Sequence, residues 1–163
     1  MQRIRPRQMP PLRDEGPDSA HTILSDGTTA LLRLAQPVDA EELQRFFSSL
    51  TPAATRHRFF SESAPSAEVI RSLCDPSHPE RSLTVIVLRR HDDTLRIIAS
   101  GSYHARAPHE AEVAMAVDDA LHGHGLGTIL LERLALLAIR QGFTKLWAIT
   151  HADNLAMREV FAT

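Results

Sequence analysis

Between Leu121 and Thr128 the chain reads Leu121-His122-Gly123-His124-Gly125-Leu126-Gly127-Thr128, with glycine at every second position and a histidine before each of the first two glycines. A strand pattern ending at Asp118 enters this segment and a long helical pattern leaves it, so the turn stands at a helix N-terminus. Unpaired backbone N–H groups and the positive end of the helix dipole gather there, which makes the turn an anion site by construction. Without Cβ atoms, Gly123, Gly125 and Gly127 let the backbone take positive φ and come close to a phosphate. His122 and His124 add donors or partial positive charge.

The spacing narrows the anion. A dinucleotide fingerprint G-x-G-x-x-G would need glycine where Thr128 stands, and a nucleoside-triphosphate loop would need Gly-Lys-Ser/Thr before the helix; both are absent. A tight strand-to-helix connection with no ligand stays open as the plainer reading. A His-x-His metal site lacks an apparent third ligand, so no metal is expected.

The second group with chemical use is Glu112. Its strand, Glu112 to Asp118, alternates Glu112, Ala114 and Ala116 on one face with Val113, Met115 and Val117 on the other. Small side chains beside a carboxylate leave room for a ligand, and a carboxylate so placed can accept a proton. A solvated carboxylate at a strand start is the plainer reading, and Glu110, on the same face by parity, is the alternative base, less favoured because it sits farther from the turn. Tyr103 and Trp147 read as packed strand aromatics, His151 as a solvated loop residue, and Cys74 as a small buried apolar residue.

The elements that position these groups follow from periodicity. Met1 to Ala20 is rich in Pro, Arg and acidic residues and reads as a disordered leader before one domain over 21–163. Thr28 to Leu34 is a first strand with Ala30, Leu32 and Leu34 on one face. Asp39 can cap a helix bearing Leu43, Phe46, Phe47 and Leu50; a short helix after Thr51-Pro52 carries Arg56, Arg58, Phe59 and Phe60; a third begins at Ser66. Leu83 to Leu88 and Leu95 to Tyr103, punctuated by Asp92-Asp93, form an antiparallel hairpin. Gly125 to Gln141 is a long helix with Leu126, Leu130, Leu134 and Leu137 on one stripe, stopped by Gly142. Lys145 to Thr150 is a strand and Asn154 to Phe161 a last helix. The expected class is α/β (α+β), a mixed, mostly antiparallel sheet flanked by helices.

At 163 residues, 43% apolar and 23% charged, the composition is that of one globular domain, and a net charge of -2 offers no general attraction to nucleic acid or anionic membrane. No stretch approaches the roughly 20 apolar residues that span a bilayer, and one cysteine excludes an internal disulfide. A cytoplasmic protein is the simplest reading.

The turn and its surroundings resemble the GNAT N-acyltransferases, which bind the coenzyme A pyrophosphate through Gln/Arg-x-x-Gly-x-Gly/Ala at this junction. The matching residues are His122-Gly123-His124-Gly125-Leu126-Gly127, with His122 departing from the usual first residue. The strand before the turn, the helix Gly125 to Gln141, the strand Lys145 to Thr150 and Asn154-x-x-Met157 come in the family's order. Leu50-Thr51-Pro52 through Arg56-His57-Arg58-Phe59-Phe60 looks like the first helices of the protein-lysine acetyltransferases, whose domains are often fused to acyl-CoA synthetase-like or cyclic-nucleotide-binding modules.

The resemblance implies acetyl-CoA as acyl donor and an amine acceptor, a protein lysine first. It implies that Glu112, in Glu112-Val113-Ala114, is the general base. Met115, Ala116 and Val117 would lie along the pantetheine arm, with the oxyanion donor among Val113, Met115 and Val117. His122 to Thr128 would hold the pyrophosphate, and Asn154 would face the coenzyme arm. The family's proton-donating tyrosine position is Phe161, which cannot donate. Such domains normally continue into two further strands, so the stop at Thr163 implies a fragment whose exposed strand edge could pair with a second copy. A non-catalytic acyl-CoA sensor and a small-amine acetyltransferase are the competing functions.

Overall fold

The computed structural model describes residues 19–59, 64–148 and 160. Six strands lie in chain order in one sheet: β1 (Ala20–Ile23), β2 (Thr29–Leu34), β3 (Ser82–His91), β4 (Thr94–Ala107), β5 (Glu110–Val117) and β6 (Lys145–Ala148). Neighbours are antiparallel as far as β5, and β6 runs parallel to β5. The sheet is therefore mixed and mostly antiparallel, as the pattern predicts.

Helix α4 (Leu126–Arg140) covers one face, and α1 (Ala40–Ser49), α2 (Pro52–Phe59) and α3 (Ala67–Leu73) cover the other. The α4 side packs Leu126, Leu130, Leu134 and Leu137 on Val85, Val87, Tyr103, Val113 and Met115. The opposite side packs Leu43, Phe46, Phe47, Ile70 and Leu73 on Leu31, Ile86, Leu88 and Ile97. A strand covered on both faces needs no polar side. Leu83 to Leu88 is accordingly buried at every position.

Several boundaries move. Ala20 already belongs to a strand: β1 pairs with β2 from Ala20↔Leu32 to Ile23↔Thr29, and its four residues are too few for a legible alternation. Asp39 stands before α1 but its carboxylate makes no capping bond there. It accepts from both terminal nitrogens of Arg33 at 2.7 Å each and from the Gln36 N–H at 2.7 Å, because a bidentate guanidinium outcompetes a neutral helix N–H. Ser66 does cap α3, accepting from the Val69 N–H at 3.3 Å. β5 starts at Glu110 and ends at Val117, since Asp118 turns away to cap the 3-10 turn Asp119–Leu121, accepting from the Ala120 N–H. Ile149, Thr150, His151, Asn154 and Phe161 lie outside the described residues, as does the leader before residue 19.

Tyr103 is fully buried, donates its hydroxyl to the Pro79 carbonyl at 2.6 Å and meets Phe143 edge-on; burial, with Glu80 nearby, pushes its pKa up to about 12. It is packed, as its strand position suggests. Cys74 is likewise buried, and burial, with Asp39 second, pushes its thiol up to about 11.

Candidate functional site

The glycine turn takes the backbone that its sequence requires. Gly123 has φ 82° and Gly125 φ 80°, and a Cβ built on either would meet nothing within 4 Å. The requirement is one of backbone hand, and the space beside it is open. Gly125 is the residue before α4, and the first bond of the ladder runs from the Ile129 N–H to the Gly125 carbonyl at 3.1 Å. The N–H groups of Leu126, Gly127 and Thr128 therefore precede any intrahelical partner, and no acidic side chain lies in that first turn. A positive helix end with open space beside it fits a phosphate.

The side chains of the turn divide the work. Thr128 is exposed at the first turn, whereas Leu126 is buried, so Leu126 offers only its N–H. A Cβ on Gly127 would come 3.0 Å from Cγ2 of Val160, so this glycine makes room for packing. His122 Nε2 donates to the Val117 carbonyl at 3.2 Å, since a carbonyl only accepts, and His124 Nδ1 meets the Ser25 hydroxyl at 2.7 Å. The two rings brace the turn against β5 and the β1–β2 loop and point to different partners. Asp119 accepts from the Thr51 N–H at 3.2 Å, which ties the start of α2 to the same junction.

β5 connects the turn to Glu112. It pairs with β6 from Glu110↔Lys145 to Val113↔Ala148, and among the described residues nothing pairs on that side beyond Val113. The bond from the Asp118 N–H to the Ile98 carbonyl sets the phase of the β4–β5 ladder. By alternation Glu112, Ala114 and Ala116 turn their backbone groups to β4, while Val113, Met115 and Val117 turn theirs toward β6. Met115 and Val117 thus present amides along the open side. Ala116 offers only a small side chain there, its amide being taken by β4. The Met115 side chain is core beneath α4.

Glu112 is half-buried, and among the described residues no donor holds its carboxylate. Glu110 differs, because its Oε2 accepts from the Trp147 indole N–H at 2.9 Å. Opposite Glu112 on β4 stands His104. Below it on the same face come Ser102 and Ser100, both fully buried, and Thr84 of β3, whose hydroxyl meets that of Ser102 at 2.9 Å. From α2 the guanidinium of Arg58 reaches the Ser102 hydroxyl at 3.5 Å. The His104 pKa is lowered by crowding of its ring, then by Arg58, against an opposing pull from Glu112. An imidazole beside a carboxylate that no donor among the described residues holds is an arrangement that can accept a proton.

This polar column was not legible in the sequence beyond Arg58 as a residue of its helix. The alternation Ser100-Gly101-Ser102-Tyr103-His104 was the available signal, but it needs the strand register to become a site. Among the described residues no group of three or more His, Cys, Asp or Glu could hold a metal ion.

With that geometry in hand, comparison with known proteins is specific. A model of the acetyltransferase (GNAT) family matches residues 43–163. An acetyltransferase of Pseudomonas aeruginosa is 30% identical over 139 residues, covering 84% of this chain and 74% of the relative. The GNAT domain of S. lividans PAT superposes with a TM-score of 0.79 at 28% identity, over 89% of this chain and 85% of that one. The Salmonella typhimurium protein yncA, solved with its cofactor acetyl-CoA, shares the fold at a TM-score of 0.66 and 16% identity, over 82% and 76% of the two chains.

Proposed function

Because this chain belongs to the GNAT family of acetyltransferases, we propose that it moves an acetyl group from acetyl-CoA to a lysine amine of a protein, with Glu112 as general base. The observation that carries the reading is the Glu112 carboxylate, half-buried and held by no donor among the described residues, on the strand that leads into the open glycine turn. The acyl donor is read from the turn and from the fold shared with yncA, which is described with acetyl-CoA. The lysine acceptor is read from the sequence Leu50-Thr51-Pro52 through Arg56-His57-Arg58-Phe59-Phe60, which resembles the first helices of the protein-lysine acetyltransferases.

Each residue has a task in this mechanism. The N–H groups of Leu126, Gly127 and Thr128 and the positive-φ turn hold the pyrophosphate, and Thr128 adds a hydroxyl at its edge. Met115 and Val117 pair with the pantetheine arm along the open side of β5. The acceptor lysine arrives protonated, its unperturbed pKa being about 10.4, and Glu112 takes one proton directly or through a water. The neutral nitrogen attacks the thioester carbon, and an amide among Val113, Met115 and Val117 steadies the oxygen that gains charge. The carbon–sulfur bond then breaks and the sulfur leaves as thiolate; the nitrogen passes its second proton to water, the thiolate takes a proton from water, and Glu112 returns its own proton to solvent.

The test is release of free thiol from acetyl-CoA in the presence of lysine-bearing proteins. Glu112→Gln keeps the shape and removes the base, so kcat should fall about 100-fold or more while acetyl-CoA affinity stays the same. Undiminished turnover would remove Glu112 from the role. No turnover by the unaltered protein with any amine would return the chain to an acyl-CoA-sensing function.

A further inference from the structure

Among the described residues, two buried side-chain polar atoms lack any hydrogen-bond partner, Nε of Arg58 and Oγ of Ser100. Both belong to the face that carries Glu112. Arg58 keeps only 8% of its surface in water, and no carboxylate among the described residues pairs with it. Arg33, by contrast, is met by Asp39 through two bonds of 2.7 Å. Burial alone lowers the Arg58 pKa to about 10, which leaves it charged at neutral pH with no acid among the described residues to offset the desolvation.

What Arg58 does touch engages its recognition edge only weakly, and at one of its two nitrogens. The faces of Phe59 and Phe47 lie 4.6 Å and 5.9 Å from the guanidinium carbon and favour a cation over their rings. Nη2 makes a long 3.5 Å bond to the Ser102 hydroxyl, and Nε makes none. Nε and Nη2 form the side edge of the guanidinium, the edge that takes a carboxylate through two parallel hydrogen bonds. Ser102 pairs with Ala114 and His104 with Glu112, so the fork engages β4 one alternation, about 7 Å, from the base. On β5 the same face carries the small side chains of Ala114 and Ala116, opposite Ser102 and Ser100. An unpaired buried cation is destabilising unless an anion meets it in use.

We propose that Arg58 binds a carboxylate carried by the acceptor, so that this site prefers amines bearing an acidic group close by. The preference rests on the reading of the Glu112 face as the acceptor side. Two sources share that chemistry: an Asp or Glu side chain adjacent to the acceptor lysine, and the α-carboxylate of a free amino acid. A bidentate bond to the fork orients the acceptor so that its amine reaches Glu112.

The experiment compares lysine peptides flanked by Glu with the same peptides flanked by Gln, and free lysine with lysinamide. It uses the full chain and its Arg58→Met and Arg58→Lys variants. Steady-state thiol release gives kcat and KM, and calorimetric titration of each acceptor into the CoA-bound protein gives affinity without turnover. The expected result is a preference of about tenfold or more in KM and affinity for one carboxylate-bearing member over its amide partner. That ratio should collapse toward one in Arg58→Met and fall in Arg58→Lys, which keeps charge but not the fork. A preference for the Glu peptide identifies a flanking acid, and one for free lysine identifies an α-carboxylate.

Equal behaviour of both pairs in the unaltered protein, including binding of neither member, overturns the proposal. So does a preference that survives Arg58→Met. Failure of the base assignment looks different: Glu112→Gln would then keep its kcat while the carboxylate preference persists in KM.

Discussion

Gly101→Ala should loosen α4 from the sheet that positions both halves of the site. A Cβ on Gly101 would lie 2.9 Å from Cδ1 of Leu134, 3.2 Å from Cγ of Met115 and 3.6 Å from Cδ2 of Leu130. Carbon atoms at rest stand about 3.5–4.0 Å apart, so the first contact is short by at least about half an ångström. The atom that must yield is a side-chain end, which keeps the cost in the lower part of the overpacking range. Leu134 is fully buried and cannot swing into water, which keeps the cost above zero. The resulting estimate is about 1–2 kcal/mol, or a fall of roughly 2–8 °C in Tm for a domain of this size.

Leu134→Ala alone should cost about 2–5 kcal/mol through the cavity it leaves. In the double variant the new methyl occupies part of that cavity, so the combined loss should be smaller than the sum by about 1 kcal/mol. Urea unfolding of the four proteins measures the cycle. Additivity within about 0.5 kcal/mol would refute the packing of Gly101 against Leu134.

Glu42 ties α1 to β4, accepting from the Ile97 N–H at 3.0 Å and from Arg45 and Arg96. Burial would raise its pKa, but Arg45, the Ile97 N–H and Arg96 outweigh burial and hold it below the ordinary 4.5. Its stabilisation is therefore present above about pH 4.5 and lost as pH falls through the depressed value, so Glu42→Gln should flatten the acid limb of a urea-midpoint against pH plot. An unchanged acid limb would contradict this. Cys74, buried with a thiol near 11, should resist a disulfide reagent at pH 8 in the native protein and react fully in denaturant. Rapid native modification would contradict its placement.

The glycine turn and the face assignment of β5 were legible because each depends on short-range rules. Positive φ before a helix selects glycine at Gly123 and Gly125, and alternation places Glu112 with Ala114 and Ala116. The Arg58 column depends on long-range register. At the β3–β4 bulge Val87 pairs with Ala99 and Leu88 with Ile97, so Ile98 is the extra residue. Beyond it the parity of β4 reverses. Alternation counted from Ile97 would put Ser100, Ser102 and His104 under α4, whereas the bulge turns them toward α2 and Glu112. Glu110 shares the face of Glu112 by parity and is the alternative base, less favoured in the sequence for its greater distance from the turn; the indole bond from Trp147 to Glu110 adds a second difference. Asp39 misled for a related reason, since its partner Arg33 comes from the preceding strand and not from the helix it precedes.

The pyrophosphate assignment of the turn is tested most directly by calorimetric titration of acetyl-CoA into the unaltered protein, Gly125→Gln and Gly125→Glu. Both substitutions place similar bulk at a positive-φ position with open space beside it, and only one adds negative charge. The expected result is weaker binding for both, with Gly125→Glu weaker than Gly125→Gln by about tenfold at low salt and the gap closing as salt is added. Equal affinity across all three proteins would contradict a coenzyme pyrophosphate at this turn.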